Sequence, residues 1–476
     1  MIQCKNCGGN VKFDIKSQKM FCSYCDTYYD PYEFEENEAD AEEHVVNDPN
    51  AFMIDDTANQ GSYMTTIYTC PECAGEIISD ENEAATFCTF CGASTVLASR
   101  ICKSKRPSSI IPFKITKDEC KELYRQRMKK AIYAPAEYKD EKYLDSFRGI
   151  YMPYWVYDSS QYNYVQLKGK KTYRRGDYKY EETYDIDFNL DAEYNGISYD
   201  ASSSFADSIS GAIAPYDHSK AVKFTPAFFS GFYADTTDVQ SDVYAPDVEN
   251  IVNNSTTDEI EKQPNVKSIS IKYPVTGKSA IFNTNVRCKE ESMYPVWFVS
   301  HRFGDRVTYA TVNGYTGKIA ADIPIDLKKY ILGSLIVAIP IFILLSLFPL
   351  IVPRVALYIA TIVSVFGFIT VLVESKSVKN KDSNIGDKGM LDKVVNNDDD
   401  IPKNYNIYAI VTYIISIVIG VIVVFSKPVF DGYYYGAVIL ELIASILCFL
   451  VVIYNYNLLS TRKLPQFKRT GGDDRA

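Results

Sequence analysis

The hydrophobic positions of this 476-residue chain change their pattern twice. Near the N-terminus they are sparse, with Val11, Phe13 and Ile15 alternating as one short strand does. Residues 105–326 carry longer period-two stretches, which predict strands at 150–157, 162–167, 178–188, 266–272, 280–287, 294–300 and 307–312. A helix precedes them: Thr116 and Glu119 form a capping box, and the helix should run to about residue 130, short of Pro135. The run Asn313-Gly314-Tyr315-Thr316-Gly317 predicts a hairpin turn into 318–321. Segments 195–220 and 235–262 read as loops or short helices. Pro153 and Pro295 read as strand entries. Each lies two residues before a tryptophan, Trp155 or Trp297, in matching contexts that suggest a duplicated β unit.

From residue 330 the chain turns apolar. Runs at 330–352, 355–373, 407–425 and 433–454 are each long enough to cross a hydrocarbon core of about 30 Å. Four spans put both ends of the chain on one side. Lys328 and Lys329 precede the first span, six lysines lie in 374–404, and Arg462, Lys463, Lys468, Arg469 and Arg475 follow the last. The opposite side shows only Arg354 and Lys427. The positive-inside rule then predicts a multi-pass protein of the cell membrane with cytoplasmic N- and C-termini. The N-terminus lacks the basic and apolar regions of a signal peptide, which agrees. Glu441 falls inside the fourth span, a functional candidate by position and also a plausible helix–helix hydrogen bond.

Twelve cysteines add chemistry. Fourteen residues separate Cys4 and Cys7 from Cys22 and Cys25; the same number separates Cys70 and Cys73 from Cys88 and Cys91. The second set is the first displaced by 66 positions, and Gly9/Gly75, Val11/Ile77, Asp14/Asp80 and Phe21/Phe87 obey the same offset. Two residues between cysteines make a tight knuckle, and two knuckles supply a tetrahedron of thiolates, the geometry of closed structural Zn²⁺ sites. A unit of this size cannot bury enough apolar surface alone, so metal binding supplies its stability. Disulfides or a rubredoxin-like iron site are the alternatives. Two structural Zn²⁺ ions are expected, one on Cys4, Cys7, Cys22 and Cys25, the other on Cys70, Cys73, Cys88 and Cys91. Four protein ligands leave no open position for catalysis. The other four, Cys102, Cys120, Cys288 and Cys448, read as buried thiols.

Charge narrows the partners. Net charge is −10, and residues 26–83 hold 17 acidic side chains, with no Lys or Arg anywhere from 20 to 99. Nucleic-acid affinity needs Lys and Arg against phosphate, so the ribbons are read as contacting protein or as simple structural caps instead. The three histidines, His44, His218 and His301, fall in no nucleophile, metal or phosphate motif, and no enzyme is expected.

The expected fold is multidomain. Two N-terminal zinc ribbons (small β) occupy residues 1–30 and 66–100, separated by an acidic linker at 31–65. A β-rich α+β soluble domain spans 105–326. A C-terminal all-α membrane domain of four transmembrane helices follows: hairpins at 330–373 and 406–456, a cytosolic loop at 374–405, and a basic cytosolic tail at 457–476. With the paired ribbons, the motifs Ile111-Pro112-Phe113, Gly149-Ile150-Tyr151-Met152-Pro153-Tyr154-Trp155, Pro215-Tyr216-Asp217, Ser230-Gly231-Phe232-Tyr233-Ala234-Asp235 and Pro295-Val296-Trp297 through Lys318 resemble the bacterial TFIIB-type zinc-ribbon membrane proteins over about residues 1–326. Such proteins are often labelled after the replication-restart helicase, but this chain has no GxxxxGK[ST] motif. The resemblance implies a part in membrane stress, with phage-shock-protein-A-like and SPFH-like proteins as partners. The expected function is a non-enzymatic membrane adaptor or scaffold. A membrane-tethered zinc-ribbon nucleic-acid-binding regulator is the alternative, and a transporter or enzyme built on Glu441 or the tyrosine-rich strands is a third.

Overall fold

The computed structural model of the protein describes residues 2–34, 62–79, 88–94, 98–273, 277–347, 352–383, 387–389, 403–465 and 467. Most of the acidic linker, His44 and the tail beyond residue 467 lie outside them, as do Asp80 and Phe87 of the repeat.

The first cysteine set is carried by a three-stranded antiparallel sheet, β1 (Val11–Asp14), β2 (Lys19–Cys22) and β3 (Thr27–Tyr29). The second is carried by β4 (Ser62–Thr69) and β5 (Glu76–Ile78), which do not form a separate sheet. β6 (Ala98–Lys105) pairs with β4, and β5 pairs through Ile78 with Ala234 of the large sheet, which thus runs across the boundary drawn at residues 100–105.

After β7 (Ser109–Ile110), helix α1 (Lys117–Lys130) starts at the Thr116/Glu119 capping box, with both reciprocal bonds made. A short α2 (Glu141–Asp145) leads into β8 (Arg148–Arg175), the spine of the large sheet. The strands expected at 150–157 and 162–167 are one. Alternate residues of the polar stretch between them, Ser159 and Gln161, are buried: Gln161 is fully enclosed and bonds Asn253 at 3.0 Å and Thr284 at 2.8 Å. β9 (Tyr178–Asp200) folds back on β8 and runs well past residue 188. Next come α3 (Asp207–Ile213), β10 (Val222–Lys223), β11 (Tyr233–Ala234) and α4 (Ala245–Lys262). α4 is a full 18-residue helix where the sequence suggested loops or short helices; its buried Asn253, Thr256 and Thr257 are poor helix formers held by packing and hydrogen bonds. β12 (Ser270–Lys272), α5 (Lys278–Phe282), β13 (Thr284–Phe303), β14 (Arg306–Asn313) and β15 (Ile319–Ala321) complete the soluble portion.

Both Pro–x–Trp segments lie on the neighbouring strands β8 and β13, with Pro153 opposite Met293 and Pro295 opposite Tyr151. Neither proline starts its strand. Each missing N–H falls where the flanking strand runs out: β9 ends at Asp200 opposite Tyr154, and β14 ends at Asn313 opposite Val296. Trp297 packs in an aromatic core with Phe113, Tyr151 and Phe232 and donates to the Ile115 carbonyl at 2.8 Å. Gly314 in the hairpin turn lies against this core, where an added Cβ would meet the Phe113 ring at 2.6 Å.

Buried carboxyls lock the loop after β9. Asp235 Oδ2 accepts from Ser202 Oγ at 2.6 Å and from Ser204 Oγ, and its Oδ1 accepts from the Thr236 amide at 2.8 Å. Burial pushes the Asp235 carboxyl up to about 7, against the pull of both serine hydroxyls. The folded state therefore keeps this proton to higher pH than the unfolded chain does. Its stabilising contribution is full below about pH 4 and is lost as pH rises through 7. The protein is expected to be less stable at pH 8 than at pH 5, by roughly 3 kcal/mol from this group. Asp235→Asn should flatten the pH dependence of the thermal midpoint measured in detergent; an unchanged slope would show that Asp235 does not set it.

Four long apolar helices follow: α6 (Leu327–Ser346), α7 (Pro353–Asp382), α8 (Lys403–Ser426) and α9 (Gly432–Leu459). Three of them share a heptad seam. On α7 the buried positions are Leu357, Ser364, Val371 and Val378, seven apart; on α9 they include Tyr434, Ala437, Glu441, Ala444 and Cys448, alternately three and four apart. α8 contributes Ala409, Tyr413 and Ser416. Glu441 lies in this seam, where Oε1 is 2.9 Å from Thr361 Oγ1 and close against Gly420. α6 stands outside the seam and touches its neighbours near its base, through Tyr330 against Phe449 and Tyr133. The two-residue strand β16 (Arg462–Lys463) returns the chain from α9 to β14.

Candidate metal centres

Each CxxC closes a knuckle by one hydrogen bond across five residues. The amide of Gly8 donates to the Cys4 carbonyl at 2.8 Å, Asp26 to Cys22 at 2.9 Å, Ala74 to Cys70 at 2.9 Å and Gly92 to Cys88 at 3.0 Å. In every case the donor residue takes a left-handed conformation, with φ of 73°, 54°, 58° and 70°. Two knuckles spend a glycine there; Ala74 meets the steric cost instead. Ala74→Gly is expected to stabilise the protein by about 1 kcal/mol, read as a higher thermal midpoint and slower metal loss from the second centre.

The knuckles bring all eight predicted cysteines into two groups of four, each with its sulfurs within 4.8 Å of one another. Cys4 and Cys25 are 3.5 Å apart at sulfur, as are Cys7 and Cys22; Cys70–Cys91 is 3.8 Å and Cys73–Cys88 3.7 Å. These separations are too long for disulfides, whose bond is about 2.05 Å. They match the edge of a tetrahedron with metal–sulfur bonds of about 2.3 Å, which is about 3.8 Å. Backbone amides face the sulfurs, among them Cys7 on Cys4 and Cys73 on Cys70. The residues present therefore fit a metal ion held by four thiolates.

The two centres differ in cover. In the first, Cys4 and Cys22 are buried, Cys25 half-buried and Cys7 exposed; in the second all four are buried. The Tyr29 hydroxyl lies 3.1 Å from Cys4 Sγ and the Thr27 hydroxyl 3.2 Å from Cys25 Sγ. Burial works against a Cys4 thiolate, but Tyr29 and the Cys7 and Asn6 amides outweigh it and bring the thiol down to about 6. The first ribbon docks on the soluble portion through Phe13, whose amide donates to Ser230 at 3.1 Å and whose ring meets Phe228 at 5.1 Å.

Around the second centre, Arg302 of β13 donates from Nε to the Cys91 carbonyl at 3.0 Å, places Nη2 4.0 Å from Cys91 Sγ and pairs with Glu72. A guanidinium there offsets the negative charge of four thiolates on a divalent ion. Tyr309 of β14 donates to the Phe90 carbonyl at 2.8 Å. Phe467, beyond the last membrane helix, donates its amide to the Cys73 carbonyl at 2.8 Å and sets its ring 6.0 Å from Phe90. Arg302 and Phe467 are far from the cysteines in sequence, and no local signal marks them.

The remaining candidates form no metal or nucleophile site among the described residues. His218, half-buried, bonds Glu290 at 2.8 Å and the Tyr294 hydroxyl at 3.1 Å; His301 lies 3.3 Å from Glu137. Cys120 and Cys448 are buried and Cys288 is half-buried; the Cys102 side chain lies outside the described residues.

Fold and site together define a class: a multi-pass membrane protein whose soluble portion carries two zinc-ribbon-type cysteine clusters. The chain is similar to the uncharacterised protein YdjG of Bacillus subtilis (strain 168), 26% identical over 344 residues that make up 69% of this chain and 91% of that protein. No family profile and no solved structure matches it.

Proposed function

We propose that the protein is a non-enzymatic adaptor of the cell membrane, with Zn²⁺ in both centres, that holds protein partners against its cytosolic sheet. One observation carries this reading: the β8–β9 ribbon has one covered face and one open, charged face. On the covered face Ile186, Phe188 and Leu190 pack with Val165, Leu167 and Ile260. On the other, alternate positions of β9 present Asp185, Asp187, Asn189, Asp191 and Glu193, all exposed, so two acidic pairs flank one asparagine. β8 places Lys168 opposite Asp185, but Gln166 opposite Asp187 and Tyr162 opposite Asp191, so the last two have no cation directly across the ribbon. Tyr162 and Tyr164 stand beside them, 49% and 55% exposed. Like charges every second residue repel, and a row of carboxylates with exposed aromatics suits a partner rich in Lys and Arg.

The membrane spans and the lysine-rich flanks of the soluble side support cytoplasmic placement of this face. The resemblance to TFIIB-type zinc-ribbon membrane proteins points to phage-shock-protein-A-like and SPFH-like partners. The test uses the full chain solubilised in mild detergent and purified phage-shock-protein-A-like and SPFH-like proteins. Wild type should retain at least one of them in a salt-sensitive complex that Asp187→Lys/Asp191→Lys abolishes with the metal content intact. Equal retention by the charge-reversed chain, or none by wild type, would sink the reading.

A further inference from the structure

Where the soluble portion meets the membrane helices there is a cleft of about 550 Å³. Its walls come from three places: the last turn of α1 and the loop after it, the run into α6, and the end of α9. α6 begins at Leu327 and α9 ends at Leu459, so the cleft lies at the level where these helices leave the hydrocarbon. Arg127 and Lys130 project from α1 and are exposed; among the described residues neither has an ion-pair partner. Asp322, the one acidic side chain in the lining, is already engaged by Arg462 Nε and the Tyr309 amide, each at 3.3 Å. The cleft therefore has a surplus of positive charge. The rest of its lining is mostly apolar, with Ile132 64% exposed beside Ile325 and Leu459. Below it runs α6, whose flank is covered by no other helix along most of its length.

We propose that this cleft binds the headgroup of an anionic phospholipid. Arg127 and Lys130 hold the phosphate, and the acyl chains pass Ile325 and Leu459 onto the open flank of α6. Charge complementarity selects an anionic over a zwitterionic headgroup, because the only acid in the lining is engaged by Arg462, and Asp326 beside it accepts from the Lys328 and Lys329 amides. The apolar floor, continuous with two membrane helices, selects a lipid over a soluble phosphate ester, which would leave that floor in water. Such a lipid bridges α1 to α6 and α9 and joins the soluble portion to the one helix that the seam leaves out. This inference rests on the four helices crossing a bilayer. Recovery of the full chain in the soluble fraction without detergent would overturn that premise separately.

The experiment is native mass spectrometry of the full-length protein in detergent, titrated with phosphatidylglycerol and with phosphatidylcholine of the same acyl chains. Wild type should retain phosphatidylglycerol in preference. Arg127→Gln/Lys130→Gln should weaken that retention roughly thirtyfold, the effect of two interfacial charges. Lys376→Gln/Lys379→Gln, an equal charge change at the end of α7, should leave it unchanged. Ile132→Trp, which fills the cleft without altering charge, should also lower retention and guards against misfolding of the double variant. Equal retention of the two lipids by wild type, equal losses from the cleft and control pairs, or displacement of the lipid by glycerol phosphate alone would each overturn the proposal.

Discussion

Replacing Arg306 with alanine is expected to cost about 3–5 kcal/mol and to loosen the soluble portion from the membrane helices. Arg306 lies on β14, and its guanidinium forks onto Asp382, the last residue of α7, at 2.7 and 3.1 Å. The same group donates to Thr461 Oγ1 at 2.7 Å and to the Leu458 carbonyl at 3.2 Å, at the end of α9. Only 11% of the Arg306 side chain and 4% of the Asp382 side chain are exposed. Truncating one partner leaves the other charge buried and unmatched, and that cost exceeds the net value of the pair. Arg306→Lys keeps the charge but loses the fork and should recover only part of the stability. Arg306→Met/Asp382→Leu removes both charges and should recover most of it. Thermal unfolding in detergent, followed together with protease cleavage near residue 322, reads both effects. An alanine variant with an unchanged midpoint would show that the junction is held by packing alone.

Loss of metal should have a comparably large effect, because structural zinc sites in small units supply on the order of 10–16 kcal/mol of apparent binding energy. The purified chain is expected to hold two ions. Cys4→Ser and Cys73→Ser should each reduce this to one. Chelation should release the ions in two phases, the fast one from the first centre, where Cys7 is exposed, and the slow one from the fully buried second centre. Cys7→Ala should leave only the slow phase. Acidification should release both ions, since the ligands bind as thiolates. The consequences differ as well. Emptying the second centre removes the support for Arg302 and Phe467 and weakens the β5–β11 pairing, so it should perturb the large sheet. Emptying the first should release mainly the β1–β3 ribbon.

The two four-cysteine clusters and the four long apolar helices were legible in the sequence because their chemistry is local. A CxxC knuckle needs five consecutive residues, and an apolar run long enough to span needs no partner to be recognised. The soluble sheet was harder. β8 reads as two strands because Gln161 and its neighbours look solvent-facing, yet Asn253, Thr256 and Thr284 satisfy them inside the fold. The same buried polar network hid α4. The heptad seam of the membrane helices is hidden in another way. Several of its positions are small or polar residues, such as Ser364, Ala444 and Ser416, and the others, such as Leu357 and Val371, look like any lipid-facing residue, so neither kind stands out from the apolar runs. Glu441 lies in the seam between helices: Oε1 has a partner in Thr361 and a tight neighbour in Gly420, while Oε2 is buried without a hydrogen-bond partner among the described residues. Arg306 and Phe467 find their partners across 76 and nearly 400 residues, a distance at which no spacing rule applies.

The most direct test of the adaptor reading is site-specific photocrosslinking from position 164, on the open face of the β8–β9 ribbon, in intact membranes of cells producing the full-length protein. The account predicts a discrete protein adduct bearing a Lys- and Arg-rich segment at the crosslinked site, lost when Asp187 and Asp191 are reversed in charge and retained with Lys376→Gln/Lys379→Gln. Adducts to lipid or to the chain itself alone, or a protein adduct indifferent to the charge of β9, would contradict it.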